Sequence, residues 1–213
     1  MIRVDLHVHS SASFDCKSDP ERVATRSRAL GLDPVFLTDH NSIAGATRLQ
    51  AISGQRVVVG EEITTADGEL IGLFLRWLVP AGLGAVETAQ AIKAQGGLVY
   101  LEHPYDSFRR HLNERAIESI APLIDIVEVF NGRSDENSNR LAEELRQTLG
   151  APAGAGSDAH STAELGSVYV EMEDFDGPQD FLVKLRGSRI VNRPSSRFRM
   201  AGARLADLMR RRP

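Results

Sequence analysis

The sequence predicts an α/β protein whose largely parallel strands close into a distorted barrel. Two observations carry this prediction. Apolar strand patterns alternate with helical patterns along most of the chain, and such alternation is typical of parallel sheets joined by helical crossovers. Polar segments rich in histidine and acidic residues follow at least five of the strands. A barrel gathers the residues at its strand ends over one mouth, whereas an open doubly wound sheet collects them mainly at one crevice, so the barrel is favoured.

Eight strands and six helices are predicted in order along the chain. The strands are expected at residues 2–6, 34–38, 57–62, 69–75, 98–102, 125–130, 153–156 and 167–171. The helices are expected at residues 20–31, 43–53, 85–95, 114–121, 135–149 and 178–186. Asp19 and Pro20 form a start signal for the first helix, and Gly31, Gly96 and Gly150 fall where helices should end.

The length and composition of the chain fit a single folded domain. It has 213 residues, of which 42% are hydrophobic, and this is enough to bury a sizeable core. We place the domain at residues 1–190 and a basic helical extension at 191–213. The extension is rich in arginine, and Met200, Leu205 and Leu208 have the spacing of one helix face.

Charge, cysteine content and hydropathy argue against several classes of protein. The net charge of −4 gives no overall footprint for nucleic acid or an anionic membrane. The single cysteine, Cys16, excludes an internal disulfide, fits a reducing compartment and is interpreted as a bystander thiol. The apolar run at residues 70–75 is too short to span a bilayer, and the N-terminus enters a strand without a targeting pattern. We therefore expect a cytoplasmic protein with no membrane partner; its oligomeric state is not predicted.

Histidine marks the predicted functional site. Five of the six histidines lie in four short polar clusters, each of which follows a strand pattern. The clusters are Asp5-Leu6-His7-Val8-His9, Thr38-Asp39-His40-Asn41, Glu102-His103-Pro104 and Gly156-Ser157-Asp158-Ala159-His160. Imidazole and carboxylate are common ligands of zinc, manganese and iron. Residues i and i+2 of a strand share a face, so His7 and His9 can reach one ion. Together the clusters predict a metal site.

These clusters, together with Gly60-Glu61-Glu62, resemble in order the motifs of the polymerase and histidinol phosphatase (PHP) family. The resemblance extends from residue 2 to about residue 170. It implies a distorted seven-stranded β/α barrel with a centre of two or three divalent metal ions, namely manganese, zinc or iron. It also implies that this centre hydrolyses phosphoesters with water that the ions activate.

The resemblance assigns ligands to each ion. The first ion is held by His7, His9, Glu62 and Asp158, of which Glu62 bridges to the second ion. The second ion also binds His103, and Glu69 stands where many family members carry a histidine. A carboxylate there favours manganese or iron over zinc; the alternative for Glu69 is a solvated turn residue. The third ion is held by Asp15, His40 and His160.

Two acidic residues beside these ligands allow more than one interpretation. Asp39 would point away from its neighbour His40 in an extended strand, so we assign it to ligand orientation, with protonation of the leaving group as the alternative. Glu61 could exchange roles with Glu62 if the strand register shifted by one residue. We prefer Glu62 as the bridging ligand.

Three residues are predicted to contact the substrate. Arg133 follows the strand at 125–130, and its guanidinium can meet two phosphate oxygens at once. Asn131 lies in the same segment. Arg109, shortly after His103, is placed to bind an additional phosphate. For both arginines the alternative is an ordinary loop residue.

The expected function is metal-dependent hydrolysis of a phosphoester in a small phosphorylated metabolite or nucleotide. Amidohydrolase-like cleavage of a C–N bond is a second hypothesis, but the three lysines, Lys17, Lys93 and Lys184, are not convincingly placed at a strand end to activate it. A nuclease is a third hypothesis, favoured by the arginine-rich tail and disfavoured by few aromatic candidates for base stacking. A metal-binding module without activity is the fourth.

Overall fold

Strands and helices alternate along residues 1–193, the part of the chain that the computed structural model describes. Within this range the strands are β1 (Ile2–Val4), β2 (Val35–Leu37), β3 (Val57–Thr64), β4 (Glu69–Leu73), β5 (Leu98–Leu101), β6 (Ile126–Asn131), β7 (Ala153–Gly156), β8 (Val168–Met172) and β9 (Arg189–Asn192). The helices are α1 (Pro20–Leu30), α2 (Ala44–Ile52), α3 (Ala85–Ala94), α4 (Glu114–Ile120), α5 (Glu136–Leu149) and α6 (Gly177–Leu185). All the predicted elements are present, with shifts of a few residues at their ends.

The first helix begins and ends where its sequence signals predict. The Asp19 side chain accepts a hydrogen bond from the backbone N–H of Glu21 at 3.0 Å, and Pro20 occupies the first turn. Gly31 ends the helix in the left-handed conformation, with φ of 69°. Gly150 ends α5 in the same way, with φ of 65°. These positions confirm the predicted helix boundaries.

A six-stranded sheet in the order β2-β3-β4-β5-β6-β7 forms the centre of the fold. Its pairs are parallel except for those of β4, which runs antiparallel to both β3 and β5. The turn between β3 and β4 spans only residues 65–68, and Thr65 donates its backbone N–H to the carbonyl of Gly68 at 2.8 Å. So short a connection permits a hairpin but no crossover. The sheet is therefore mixed rather than uniformly parallel.

The segment that follows β1 lies between the two edges of this curled sheet. Leu6 donates its backbone N–H to Ala155 O at 3.3 Å, at the end of β7. On the other side, Thr38 donates to Val8 O at 2.9 Å, just beyond β2. The observed architecture is thus a mixed α/β domain with a half-barrel sheet, in which residues 6–9 contact both edges. This geometry brings His7 and His9 to the middle of the concave side.

A second, antiparallel sheet has the order β1-β8-β9. Strand β9 was not predicted, because its residues are mostly exposed or half-buried and carry little apolar signal. It also spans the expected domain boundary between residues 190 and 191, so that boundary stays a prediction. The rest of the predicted basic helical extension, including Met200, Leu205 and Leu208, lies outside the described residues. No helix in the described range has both the length and the apolar character that a bilayer crossing requires.

Alternate strand residues divide the apolar core into two layers. Phe36 and Tyr100 belong to an inner cluster with residues of the second sheet. Val35 and Leu37, which flank Phe36, belong to an outer cluster against the helices. The period of two in strands explains this division. The polar site lies at the carboxyl end of the inner layer.

Gly156 permits a close approach to the backbone and side chain of His7. A Cβ atom at this position would lie 2.4 Å from the Cβ of His7 and 2.6 Å from its backbone nitrogen. We expect Gly156→Ala to lower the free energy of unfolding by about 1–3 kcal/mol, because the backbone must move to relieve overpacking. Urea denaturation measures the effect. Gly187→Ala is the control, since its nearest atom would be 3.8 Å away, and equal stabilities of the two variants would contradict the prediction.

Candidate metal centre

Four predicted ligands converge at the carboxyl ends of the strands. The Nε2 atoms of His7 and His9 lie 3.1 Å apart, and each lies 3.2 Å from Oε2 of Glu62. The Oδ1 atom of Asp158 is 3.6 Å from Nε2 of His7 and 3.4 Å from Nε2 of His9. All four side chains are buried. Two imidazoles and two carboxylates from three parts of the chain thus face one point.

The spacing of these atoms fits a single metal ion. Zinc binds nitrogen and oxygen at about 2.0–2.1 Å, so the ligand atoms of a tetrahedral ion lie about 3.3–3.4 Å apart. The two histidine nitrogens lie 3.1 Å from each other and 3.2–3.6 Å from the carboxylate oxygens of Glu62 and Asp158. The donor set, two imidazoles with two carboxylates, suits zinc, manganese or iron.

Glu62 has the geometry of a bridging carboxylate. Its Oε2 atom faces the first cluster, while its Oε1 atom lies 3.3 Å from Nε2 of His103. Glu61 points elsewhere: its Oε2 accepts a hydrogen bond from the backbone N–H of Val79 at 2.9 Å, and burial raises its pKa to about 7. The structure therefore places Glu62, and not Glu61, between the two predicted ion positions.

A third group surrounds Asp15. Its Oδ2 atom lies 3.0 Å from Nε2 of His160 and 3.5 Å from Nε2 of His40. His9 contributes a further atom to this group, with all ligand atoms within 4.8 Å of one another. The third predicted set is thus brought together, next to the first.

Glu69 is brought to the centre, where it groups with His40 and Glu62. It begins β4 and is half-buried, and the ligand atoms of this group lie within 4.8 Å of one another. The carboxylate that groups with Glu62 and His103 is Glu102, which directly precedes His103 in the sequence. The ligand position that we predicted for Glu69 on the second ion therefore has a competitor.

The pKa values of His7 and His103 are shifted in opposite directions by their surroundings. Burial alone would lower the pKa of His7, but the carboxylates of Glu128 and Glu62 outweigh burial and raise it to about 10. Burial and the Arg109 guanidinium lower the pKa of His103 to about 4, so this imidazole is neutral at pH 7. The protein thus holds a proton on His7 where a divalent cation would compensate the same carboxylates.

Glu128 contacts two of the predicted ligands, His7 and His103, and was not singled out from the sequence. Its Oε1 atom lies 3.2 Å from Nδ1 of His7 and accepts a hydrogen bond from the Tyr100 hydroxyl at 3.0 Å. Its Oε2 atom accepts from the backbone N–H of His103 at 3.0 Å and from Nδ2 of Asn131 at 2.9 Å. A proton on Nδ1 of His7 leaves its Nε2 lone pair for an ion. The sequence signal that could have identified Glu128 is its position as an acidic residue within a largely apolar strand.

Asp39 contacts Ser10 and Ser13. Its carboxylate accepts hydrogen bonds from the backbone N–H of Ser10 at 2.6 Å, the Ser10 hydroxyl at 2.8 Å and the Ser13 hydroxyl at 3.1 Å. The Ser13 oxygen lies 3.1 Å from Nδ1 of His9. Because Ser13 donates to Asp39, it can accept from His9 and leave Nε2 of His9 for an ion. This geometry favours orientation over protonation of the leaving group.

Two residues of the centre have a strained backbone. Asp158 has φ of 52° and His103 has φ of 26°, in a region that residues with a side chain seldom adopt. The Asp158 loop is held by Asp5, which accepts hydrogen bonds from the Ser157 backbone at 2.8 Å and the Gly166 backbone at 3.0 Å. These contacts offset the strain and fix the direction of the Asp158 side chain.

The predicted substrate residues occupy three different environments. Nη1 of Arg133 lies 2.7 Å from Nδ1 of His160, at the edge of the third group. Arg109 forms an ion pair with Oδ2 of Asp158 and donates to Asp106 at 2.6 Å. Asn131 is buried, and its Nδ2 donates to Asp158 at 3.3 Å. Its burial favours a positioning role for Asn131 over the substrate contact that we predicted.

Two exposed phenylalanines lie next to predicted site residues, Phe14 in space and Phe108 in sequence. Phe14 is 78% exposed, and its ring centroid lies 5.1 Å from that of His40. Phe108 is 82% exposed and precedes Arg109. The ring of Phe14 therefore offers an aromatic face beside the charged centre.

Comparison with known proteins identifies relatives over most of the chain. The model of the PHP domain matches residues 5–124, and the model of a PHP-associated region matches residues 136–190. The uncharacterized protein MJ0417 of Methanocaldococcus jannaschii is 32% identical over 197 residues, covering 87% of this chain and 79% of that protein. Protein MJ1587 of the same organism, also uncharacterized, is 36% identical over 143 residues, covering 61% of this chain and 82% of that protein.

Solved structures with low sequence identity share the fold. A two-domain protein from Bacteroides vulgatus with a predicted PHP-like metal-dependent phosphoesterase has a TM-score of 0.68 and 18% identity, covering 90% of this chain and 64% of that chain. An amidohydrolase from Chromobacterium violaceum has a TM-score of 0.61 and 18% identity, covering 91% and 98% of the two chains. A lesion-specific endonuclease from Pyrococcus furiosus has a TM-score of 0.60 and 16% identity, covering 89% and 57%.

Proposed function

The chain belongs to the PHP domain family, and from this premise we propose that it is a metal-dependent phosphoesterase acting on a small phosphorylated metabolite or nucleotide. The observation that carries the proposal is the convergence of His7, His9, Glu62 and Asp158 at ligand spacing, with the second oxygen of Glu62 on His103. Two or three divalent ions, of manganese, zinc or iron, are proposed to bind there. When bound, such ions activate water and stabilise charge on a phosphoryl group.

The protein's own residues prepare the site for this reaction. Glu128 and Ser13 orient the histidines of the first cluster. Arg133, beside His160, is proposed to bind a phosphate oxygen, because a guanidinium matches the geometry and charge of phosphate. Arg109 is proposed to contribute to phosphate binding once a cation shares the charge of Asp158.

The proposal also includes a seven-stranded barrel, the limits of the catalytic domain and a cytoplasmic location. The hydrogen bonds of residues 6–9 to both sheet edges support closure into a seven-stranded barrel. We retain residues 1–190 as the catalytic domain and the cytoplasm as its location.

Elemental analysis combined with phosphate release tests the proposed function. The purified protein is loaded with manganese, zinc or iron, and phosphate release is measured on nucleotides, sugar phosphates and an aryl phosphate. Two or three ions per chain together with turnover are expected. Bound metal with no hydrolysis of mono- or diesters would favour the amidohydrolase-like hypothesis, which an amide substrate panel then addresses, or a metal-binding module. No bound metal would refute the metal centre itself.

The exposed phenylalanines favour a second candidate, hydrolysis of a nucleotide unit within single-stranded nucleic acid. Phe14 and Phe108 offer ring faces on which bases can stack, and these were the feature that we expected to be scarce. The structural similarity to the Pyrococcus furiosus endonuclease is consistent with this candidate. Release of nucleotides from end-labelled single-stranded DNA would support it.

Replacement of both phenylalanines should separate base recognition from phosphate chemistry. Stacking contributes about 1–3 kcal/mol per base, so the variant Phe14→Ala with Phe108→Ala is expected to raise the KM for a nucleotide about 10-fold or more. The KM for glycerol phosphate should change little. Trp77→Ala is the control, because Trp77 is also exposed but lies beside Gln95, at the opposite end of β5 from His103. Equal KM changes for both substrates would refute base stacking.

A further inference from the structure

Glu102 is a buried carboxylate to which the predicted ligand set gives no role. It is fully buried. Its Oε2 atom accepts a hydrogen bond from the backbone N–H of Ile71 at 2.9 Å. Its Oε1 atom is also buried and has no hydrogen-bond partner among residues 1–193. A buried carboxylate oxygen without a partner is costly, so a structure that retains one requires an explanation.

The position of Glu102 directs it into the metal centre. Leu98 and Tyr100 belong to the inner core cluster, and Glu102 is the next residue with the same strand periodicity. One of its carboxylate oxygens lies within 4.8 Å of ligand atoms of both Glu62 and His103. The hydrogen bond from β4 fixes the orientation of the carboxylate.

A protonated Glu102 would not satisfy this arrangement. The oxygen that accepts the Ile71 N–H remains an acceptor, so a proton would reside on Oε1. That O–H would then need an acceptor, and Oε1 has no partner in the described part of the chain. A cation at this point would satisfy the oxygen and would also offset the repulsion between Glu102 and Glu62.

We propose that Glu102 is a ligand of the second metal ion, together with Glu62 and His103. This inference rests on the proposed function, because it assigns a residue to the same metal centre. Two carboxylates and one imidazole form a harder ligand set than the two imidazoles and two carboxylates of the first site. The second site should therefore prefer manganese or iron(II) to zinc more strongly than the first site does. Glu69, which is half-buried, groups with His40 and Glu62.

Glu61 provides a matched control within the same protein. It is also fully buried, one of its oxygens accepts a backbone hydrogen bond from Val79, and the other has no hydrogen-bond partner among the described residues. It belongs to none of the groups of potential ligands found in residues 1–193. Glu61→Gln and Glu102→Gln therefore both replace a buried carboxyl group with an amide, but only the second change reaches the proposed ion.

Manganese binding distinguishes the two variants without reference to activity. Each protein is stripped of metal and titrated with Mn²⁺, with free ion measured by electron paramagnetic resonance and bound ion by elemental analysis. Wild type and Glu61→Gln are expected to bind the same number of ions. Glu102→Gln is expected to lose one tight site, or to bind that ion at least about 10-fold more weakly, while its amide oxygen still accepts the Ile71 N–H.

Further measurements keep the inference falsifiable. Circular dichroism tests whether each variant is folded. If Glu102→Gln is not folded, Glu102→Asp takes its place, because it shortens the side chain but keeps the carboxyl group. Glu102→Asp is expected to weaken the same site. Wild-type number and affinity of ions in a folded Glu102 variant would overturn the inference alone, because wild-type protein would still bind metal. Failure of wild type to bind any ion would instead overturn the proposed function.

Discussion

Replacement of Glu62 by glutamine is expected to reduce phosphoester hydrolysis by at least about 10³-fold, the largest effect that we expect of a single substitution. Oε2 of Glu62 lies 3.2 Å from the Nε2 atoms of both His7 and His9, and Oε1 lies 3.3 Å from Nε2 of His103. A glutamine has one oxygen for these two positions, so it cannot bridge two ions. If two ions bind on either side of Glu62, the substitution would remove the carboxylate that holds both of them, as well as one negative charge.

The measurement is kcat with a nucleotide and with an aryl phosphate, together with metal content. Glu61→Gln is the control, because Glu61 is the adjacent buried acid and its side chain contacts the Val79 backbone instead of the histidines. We expect near-wild-type turnover and metal content for this control. If Glu62→Gln kept two ions and more than a tenth of wild-type kcat, the bridging role would be refuted.

The fold could be predicted from sequence where local signals decide it. The caps at Asp19 and Gly31 specify the ends of α1 from within the helix itself. Strand direction could not be predicted from local signals, because a strand of alternating or continuous apolar residues has the same pattern in either orientation. The antiparallel direction of β4 depends on the short turn at residues 65–68. Strand β9 depends on pairing with β8 and carries no strong apolar pattern of its own.

The candidate ligands could be predicted because their chemistry is contained in residue type. Imidazole and carboxylate groups that follow successive strands indicate a cation site through their type and order alone. The supporting residues could not be found in this way. Glu128 contacts His7 across 121 positions of sequence, and its role depends on that contact. Ser13 and Glu102 likewise gain their proposed roles from distant partners, Asp39 and Glu62 respectively.

Asn131 shows how the fold can favour a different role from the one that residue type suggests. A polar residue at the end of a strand was predicted to bind substrate. The side chain is buried, and its Oδ1 accepts hydrogen bonds from the Arg133 backbone at 2.8 Å and from Nη2 of Arg109 at 3.1 Å. The sequence indicates which segment reaches the site but not which side of the segment faces it.

Glu128→Gln is expected to lower metal affinity and kcat by about 10–100-fold, the range typical of residues that orient metal ligands. The carboxylate fixes the tautomer of His7 by facing its Nδ1 atom at 3.2 Å, and it also accepts the His103 backbone N–H at 3.0 Å. A glutamine can present its N–H₂ group to His7, which would favour the tautomer with the proton on Nε2. That proton would occupy the position of the first ion.

The pKa of His7 distinguishes a direct effect of Glu128 on this ligand from a general effect on stability. In metal-free protein the carboxylates of Glu128 and Glu62 outweigh burial and raise the pKa of His7 to about 10, so its imidazole is protonated at pH 8. Without the Glu128 charge this pKa should fall, and nuclear magnetic resonance of labelled histidine measures the change. Tyr100→Phe is the control, since it removes only the 3.0 Å hydrogen bond from the phenol to Glu128 and leaves that charge in place. A Glu128→Gln variant with lower stability but unchanged His7 titration and unchanged metal affinity would show that Glu128 acts on the fold and not on the ligand.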